Sequence, residues 1–502
     1  MRLAGNSLVN MIGRAGSLAF WVLLTPYLLH RLGSERFGLW SLVFMFTTYM
    51  LLMDLGAGPS LARFAAEFKA LGRLPELGRY VATTNTFYLG LGASSFLVAV
   101  ALGPGLLHVL RIAPSIHEAH AALVLCTLVG AATMLAAVMN GLLVGFQRFL
   151  QVNTLSLALL VPSGLGIWLV LGAGQGLLGV LWVQAGVAAL GALAGAALVR
   201  RSAPGLVLRP LGWEVEAARQ MFQLGIWAQL FSLVSVIQLQ VDKLFLARWA
   251  GLATVTSFEL GFRVSNGILA LPGLAYGAIT PAAVELAALG DQVRLHALHV
   301  RGTRWAAGLT APLVAGTWVA GPWLLRGWLA ATPPGAELAL RMIAASLSIN
   351  LLSGTGSAIV WAEARPQLGF YCAAAGLLLH VVLSLVLVPA FGLPGALFAQ
   401  LAAMAAWVGL FTFEFHRRHH WSWTGDVGAA IVRPVVVGAA AVLGLGLVAR
   451  TLPAPVALGR WAALGLAGQF NAADVQVLRQ LATAWLPRRA PRGAGTGGPA
   501  AG

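Results

Sequence analysis

The sequence predicts an all-α polytopic membrane protein. It is expected to form two six-helix lobes related by a pseudo-two-fold along the membrane normal, plus one or two C-terminal helices. Three observations predict this. Runs of about 20 apolar residues, each able to cross about 30 Å of hydrocarbon as a helix, recur from end to end. Apolar residues make up 59% of the chain and charged residues 10%, against roughly 25% charged in soluble domains. A stretch near the start also returns 218 residues later.

That stretch, Gly33 to Glu67, reads as an outer turn, one apolar span, a break at Gly58-Pro59 and a charged helical exit. Its echo runs from Gly251 to Glu285, and seven of the 35 paired positions are identical. Chance pairing in so Leu/Ala/Gly-rich a chain gives roughly three. Each copy holds the second span of a six-span block, which gives the match its weight.

Taken in order, spans are expected near 10–30, 37–57, 81–103, 119–143, 152–172 and 177–199. A second block follows near 221–247, 253–283, 305–329, 341–361, 368–389 and 392–413, with one more span near 428–449. Trp461 to Phe470 is a short fourteenth candidate. These spans divide the chain into an N-terminal lobe (1–200), a cytoplasmic linker (201–220), a C-terminal lobe (221–415), extra transmembrane helices (416–470) and a cytoplasmic amphipathic helix with a disordered tail (471–502). Six spans per block make the two copies enter the membrane in the same direction, so their symmetry axis lies along its normal.

Basic residues set the orientation. With the N-terminus inside, inner loops and tails hold 21 basic residues and outer loops 8, the bias expected of cytoplasmic loops. That bias also accounts for the net charge of +16, and no nucleic-acid partner is implied. Nearly all the basic residues are Arg; only Lys69 and Lys243 are Lys. Cys126 and Cys372 both lie in apolar spans, so neither a disulfide framework nor a metal site is expected. The first span carries Asn10 and Arg14 and no cleavage pattern, so it reads as an uncleaved helix.

Charge inside the spans is the informative signal, because ionised groups in hydrocarbon are expensive and usually face a cavity or a partner. Arg14 lies in span 1, Asp54 near the inner end of span 2, Asp242 and Lys243 in span 7, Glu259 and Arg263 in span 8. Glu259 and Arg263 stand at i, i+4 on one helical face. They read either as an internal pair or as a cavity cation with its resting counter-ion. Asp242 and Lys243 read as outer-interface residues whose long stems snorkel. Gln223, Gln229, Gln238 and Gln240 accompany Trp227 and Phe231 in span 7. Amides and aromatics suit sugar hydroxyls and ring faces, and they serve equally as hydrogen bonds between helices. Pro26, Pro162, Pro272, Pro281 and Pro389 mark expected breaks.

Several patterns carry no chemistry. His117 and His120 are one residue too close for a zinc-protease pair. His416, His419 and His420 beside Arg417 and Arg418 read as a basic cluster. No Walker motif is present, so no ATP-driven step and no cofactor is expected on this chain.

Asn6 to Leu39, Asp54-Leu-Gly56 with Arg63, Val241-Asp242-Lys243 and the Pro281 exit of span 8 together resemble bacterial polysaccharide flippases. These belong to the multidrug/oligosaccharidyl-lipid/polysaccharide exporter superfamily. The resemblance implies two lobes alternating around a central cavity in the bacterial inner membrane. The implied cargo is an undecaprenyl-pyrophosphate-linked oligosaccharide, with membrane lipids and polysaccharide polymerase machinery as partners. A pyrophosphate crossing low dielectric needs cations. Lipid II flippases of the superfamily keep cavity arginines in spans 1, 2 and 8. Arg14 and Arg263 match the first and third, whereas span 2 has no arginine before Arg63. The expected site is therefore Arg14, Arg263 and Lys243 for substrate. Asp54, Glu259 and Asp242 are expected for ion coupling, and Gln223, Gln229, Gln238 and Trp227 for sugar. The alternatives are an ion-coupled drug or metabolite exporter, and an intramembrane glycan polymerase or ligase, which the short outer loops disfavour.

Overall fold

The computed structural model describes residues 2–112, 117–223, 226–274, 276–329, 331–422 and Gly428. Expectations for span 13, the Trp461–Phe470 segment and the tail lie outside these residues.

The N-terminal lobe contains α1 (Arg2–Leu52), α2 (Ala57–Ala70), α3 (Leu74–Val109), α4 (Ala119–Gly145), α5 (Phe149–Gly172) and α6 (Gly176–Ser202). The C-terminal lobe contains α7 (Val215–Gln223), α8 (Ile226–Gln240), α9 (Asp242–Trp249), α10 (Leu252–Leu274), α11 (Tyr276–Ala288), α12 (Gln292–Trp328), α13 (Ala336–Leu352), α14 (Gly354–Ala362), α15 (Gln367–Phe391) and α16 (Leu393–His419). No strand occurs among the described residues. Among the described residues, the twelve spans expected before residue 420 fall on helices.

The 218-residue shift governs the whole architecture. Moved by 218, α3 (Leu74–Val109) becomes 292–327, and α12 is Gln292–Trp328. In the same way α2 falls on α11, α4 on α13 with α14, α5 on α15, and α6 on α16. Spans 1 and 2 join at Gly33, the one non-helical residue inside α1, with φ 78°. Its counterpart Gly251 turns between α9 and α10 with φ 85°. That left-handed backbone strains any residue with a Cβ, so glycine recurs at the same place in both lobes.

The two turns meet. A Cβ on Gly38 would lie 2.0 Å from the Leu252 carbonyl oxygen, and the Thr256 hydroxyl donates to the Ser34 carbonyl. Under the 218 shift Ser34 corresponds to 252 and Gly38 to 256. These two contacts are therefore one contact seen from both sides, the mark of a two-fold interface. Gly38→Val is expected to pry this junction open. Maleimide labelling of Ser34→Cys should then run faster with the valine than without it, against a low background because Cys126 and Cys372 are buried.

Large apolar side chains such as Leu97, Leu165, Leu193 and Leu378 stand exposed on the outer helix flanks, where lipid covers them. Among the described residues eight helices, or nine counting the bent pair Gly16–Leu52 with Ala57–Ala70, are long and apolar enough to cross a membrane. Span 8 and α12 fall below that apolarity and carry Glu259, Arg263, Arg301 and Arg304.

The breaks are not at the prolines. Pro26, Pro162, Pro272, Pro281 and Pro389 all lie inside helices. The expected break at Gly58-Pro59 occurs earlier, where Leu55 (φ 51°) and Gly56 (φ 82°) turn the chain into α2. Pro59 sits in the first turn of α2, whose N–H groups have no helical partner to lose. The linker after Ser202 is extended and lies along α3. Thr86 Oγ1 and the Gly212 backbone exchange hydrogen bonds of 3.0 Å, and Arg79 pairs with Glu214 at 3.2 Å.

Candidate functional site

The lobes meet mainly along α1 and α10, and a cavity of about 250 Å³ lies between them. Its N-lobe wall includes Val22, Ser41, Phe44, Met45 and Thr48, and its C-lobe wall Gln240, Glu259, Phe262, Arg263 and Asn266. Each residue of the second set is the first set's counterpart under the 218 shift, so the pseudo-two-fold axis passes through this cavity. The charges break the symmetry. Glu259 and Arg263 face Ser41 and Met45, and Lys243 corresponds to Thr25.

Glu259 holds both cations. Lys243 Nζ lies 2.7 Å from Glu259 Oε2, and Arg263 Nε lies 2.6 Å from Glu259 Oε1. The i, i+4 pair read from the sequence is present, and it gains a third member. Arg263 Nη1 also donates to Thr25 Oγ1 across the lobe boundary at 3.0 Å. Its guanidinium lies over Trp40 at 4.8 Å and Phe37 at 5.6 Å from the ring centroids. The cluster carries two positive charges and one negative, leaving one formal positive charge in a largely apolar cavity. Glu259 and Lys243 are buried, whereas the Arg263 side chain is 19% accessible, so Arg263 is the more exposed of the two cations.

The outer-interface reading of Asp242 and Lys243 does not hold: the two are 0% and 4% exposed. Val241 keeps helical dihedrals, and successive residues on a helix point about 100° apart, so the two neighbours reach different places. Lys243 reaches Glu259 at the cavity, and Asp242 pairs with His380 Nε2 inside the C-lobe at 3.0 Å. Asp54 shapes the span 2 exit: its Oδ1 accepts from Gly56 N at 2.7 Å, and its carboxylate is also bonded to Tyr88. That geometry supports a turn and leaves Asp54 outside the cavity.

The span 7 residues split. Gln229 donates to the Leu52 carbonyl, joining the lobes at the inner end. Trp227 packs against Phe370 and Tyr371 at 5.7 and 6.0 Å. Gln238 lines a separate C-lobe cavity of about 280 Å³ with Phe231, Tyr276 and Trp407. Arg14 lies on α1 and Gln223 on α7, but their side chains fall outside the described residues. The sequence reading missed His380, Thr25 and Trp40. Of these only His380 left a signal, being the single charged or imidazole side chain in α15.

A second cavity, about 590 Å³, lies beyond the Gly33 and Gly251 turns. Its lining of Pro26, Ser34, Thr254, Ser257, Thr332 and neighbours includes no carboxylate, Lys or Arg. Of these two cavities, the smaller one holds the described Lys, Arg and carboxylate side chains. Both of that cavity's ends are bridged, at the outer side by Ser34 with Thr256 and at the inner side by Leu52 with Gln229 and by Ser60 with Met221 at 2.9 Å.

No family model matches the chain, and no curated protein matches it. Solved structures do. One is the lipid II flippase MurJ in an inward closed conformation, with a TM-score of 0.70 at 14% identity over 95% of this chain and 99% of that one. Another is an inward-facing multidrug-resistance MATE family transporter of the MOP superfamily, at 0.66 and 14% over 83% and 98%. An outward-facing transporter of that kind scores 0.60 at 15% over 82% and 94%. The protein is a multi-pass membrane protein with the fold that multidrug-resistance MATE family transporters of the MOP superfamily share with the lipid II flippase MurJ.

Proposed function

We propose that this chain is a non-enzymatic flippase of the bacterial inner membrane. It turns an undecaprenyl-pyrophosphate-linked oligosaccharide from the cytoplasmic to the periplasmic leaflet, by alternating access, for polysaccharide biosynthesis. The observation that carries this reading is the cationic cluster at the pseudo-two-fold axis. Arg263 and Lys243 share one carboxylate, Glu259, at the only place where lobe symmetry and intramembrane charge coincide among the described residues.

A diphosphate entering from the inner side displaces Glu259 as the partner of Arg263, and Lys243 keeps Glu259 neutralised. The exchange swaps one charge-assisted bond for another, so the buried cation is never bare. Arg14 is the second proposed contact, from span 1. Gln238 and Trp227 remain proposed sugar contacts with Gln223 and Gln229, and Asp242, Glu259 and Asp54 the proposed coupling carboxylates. The present cavity has room for about eight water molecules at roughly 30 Å³ each. It therefore admits a headgroup charge, and an oligosaccharide needs the inner bridge at Gln229 released.

A drug exporter of this fold would use the same carboxylates for ions. Cationic drugs fit poorly here, since the cavity already carries excess positive charge. In cells, Arg263→Ala and Lys243→Ala should each lower surface glycan and raise lipid-linked precursor at unchanged expression. Loss of one charge-assisted contact costs about 1.5–3 kcal/mol, or roughly tenfold to a hundredfold in flux. Unchanged glycan in both variants removes the proposed site.

A further inference from the structure

A set of unsatisfied polar atoms lies away from the pseudo-two-fold axis, at the inner end of the C-lobe. His299 and Thr303 stand one turn apart on a single face of α12. Thr355 lies in the first turn of α14 and His416 in the last turn of α16. A Cβ on Gly302 would lie 2.7 Å from Thr355 Oγ1, and one on Gly356 would lie 3.7 Å from His299 Cε1. The His299 ring is 5.1 Å from the His416 ring and 5.0 Å from that of Phe415. None of His299, Thr303, Thr355 and His416 is more than 3% exposed. Both ring nitrogens of His299, both threonine hydroxyls and His416 Nε2 have no hydrogen-bond partner among the described residues. A threonine inside a helix can bond the carbonyl one turn back, as Thr310 on the same helix does with Ala306 at 2.7 Å. Thr303 and Thr355 forgo that bond, so their hydroxyls stay available.

His299 and Thr303 also line a cavity of about 360 Å³. On α16 its wall runs from Phe415 to Ala405, about 15 Å at 1.5 Å per residue. His299 sits at the Phe415 end, and away from it the wall is Ile349, Leu352, Ala405 and Val408. The described lining includes no carboxylate, Lys or Arg. A mostly apolar chamber with a few convergent polar groups is the usual form of a small-molecule site. Among the described residues no group of three His, Cys, Asp or Glu is placed to hold a metal ion.

We propose that this cavity binds an uncharged amphipath with a hydroxyl head, its oxygen at His299 and Thr303 and its apolar body among Ile349, Leu352 and Val408. A neutral imidazole offers one N–H donor and one bare acceptor, and a hydroxyl both donates and accepts. A carbonyl only accepts, so it leaves the bare nitrogen unpaired. A carboxylate or an ammonium would sit buried with no counter-charge. Water meets the polar end, but an apolar wall gives it too few partners to fill the rest. The volume equals roughly twelve waters at about 30 Å³ each, enough for a hydroxyl and a chain of about ten carbons. The occupant ties α12, α14 and α16 together inside one lobe, so it stands apart from the cargo and from the flippase reading.

The test is photolabelling of the purified full chain in lipid nanodiscs with 3-azioctanol, an alcohol carrying a photoreactive group, followed by peptide mapping. Labelling should saturate on 349–356 and 405–415, the segments that line the cavity. Excess 1-decanol should remove it, whereas decanoate and decylamine at the same concentration should not. Farnesol and dioctanoylglycerol tell an isoprenoid alcohol from a glyceride as the source of the hydroxyl, and competition by either supports the site. His299→Phe/Thr303→Val takes away the hydrogen-bonding groups at nearly constant shape. Below saturation it should cut labelling about tenfold, as expected for two neutral hydrogen bonds. Val408→Trp fills the chamber, keeps His299 and Thr303, and should abolish labelling. Labelling that never saturates on these segments, competition by decanoate or decylamine as strong as by 1-decanol, or labelling unchanged in either variant overturns the proposal.

Discussion

Glu259→Gln is expected to destabilise the protein more than any other single change at the cavity. It leaves Lys243 and Arg263 facing each other with no anion between them. Breaking a buried ion pair by removing one partner costs about 3–5 kcal/mol, far more than a surface pair. Arg263 retains Thr25 and the Trp40 face, whereas Lys243 retains nothing of comparable strength. Lys243→Met in the Glu259→Gln background should therefore recover most of the lost thermal stability, and Arg263→Met less. If the two rescues are equal, or neither occurs, Glu259 does not act as the shared counter-ion.

The second large effect concerns the outer junction. Thr256 and Ser34 are hydrogen-bonded across the lobes, and a disulfide spans residues this close. Oxidised Ser34→Cys/Thr256→Cys should transport nothing, because the outer side cannot open, and a reductant should restore transport. Each single variant should keep near wild-type flux. Full activity in the oxidised double variant would show that these turns are not the gate.

Much of this was legible in the sequence because it depends on local chemistry or on copying. Glu259 and Arg263 stand four apart on one helix, so their pairing needs no tertiary information. Gly33 and Gly251 recur because both turns need a left-handed residue, and the unbroken 218-residue shift shows that the two lobes kept their register. The breaks were misread for a physical reason. Proline in a membrane helix is tolerated once neighbours satisfy the freed carbonyl, while the sharp interruption falls at Leu55-Gly56, where φ is positive. The burial of Asp242 was not legible. Its partner His380 lies 138 positions away, and only the docking of α9 on α15 brings them together. Local reading of an Asp-Lys pair near a span end points to the interface, whereas packing against α10 and α15 buries both.

The central claim is that Arg263 and Lys243 recognise a lipid-borne diphosphate. Native mass spectrometry of the detergent-solubilised chain with undecaprenyl diphosphate and undecaprenyl monophosphate tests it most directly. The account predicts that the diphosphate lipid binds preferentially. Its affinity should fall by about tenfold or more in Arg263→Ala/Lys243→Ala, in line with about 1.5–3 kcal/mol per charge-assisted contact. Equal binding of the two lipids, or a double variant that binds the diphosphate as wild type does, would contradict it.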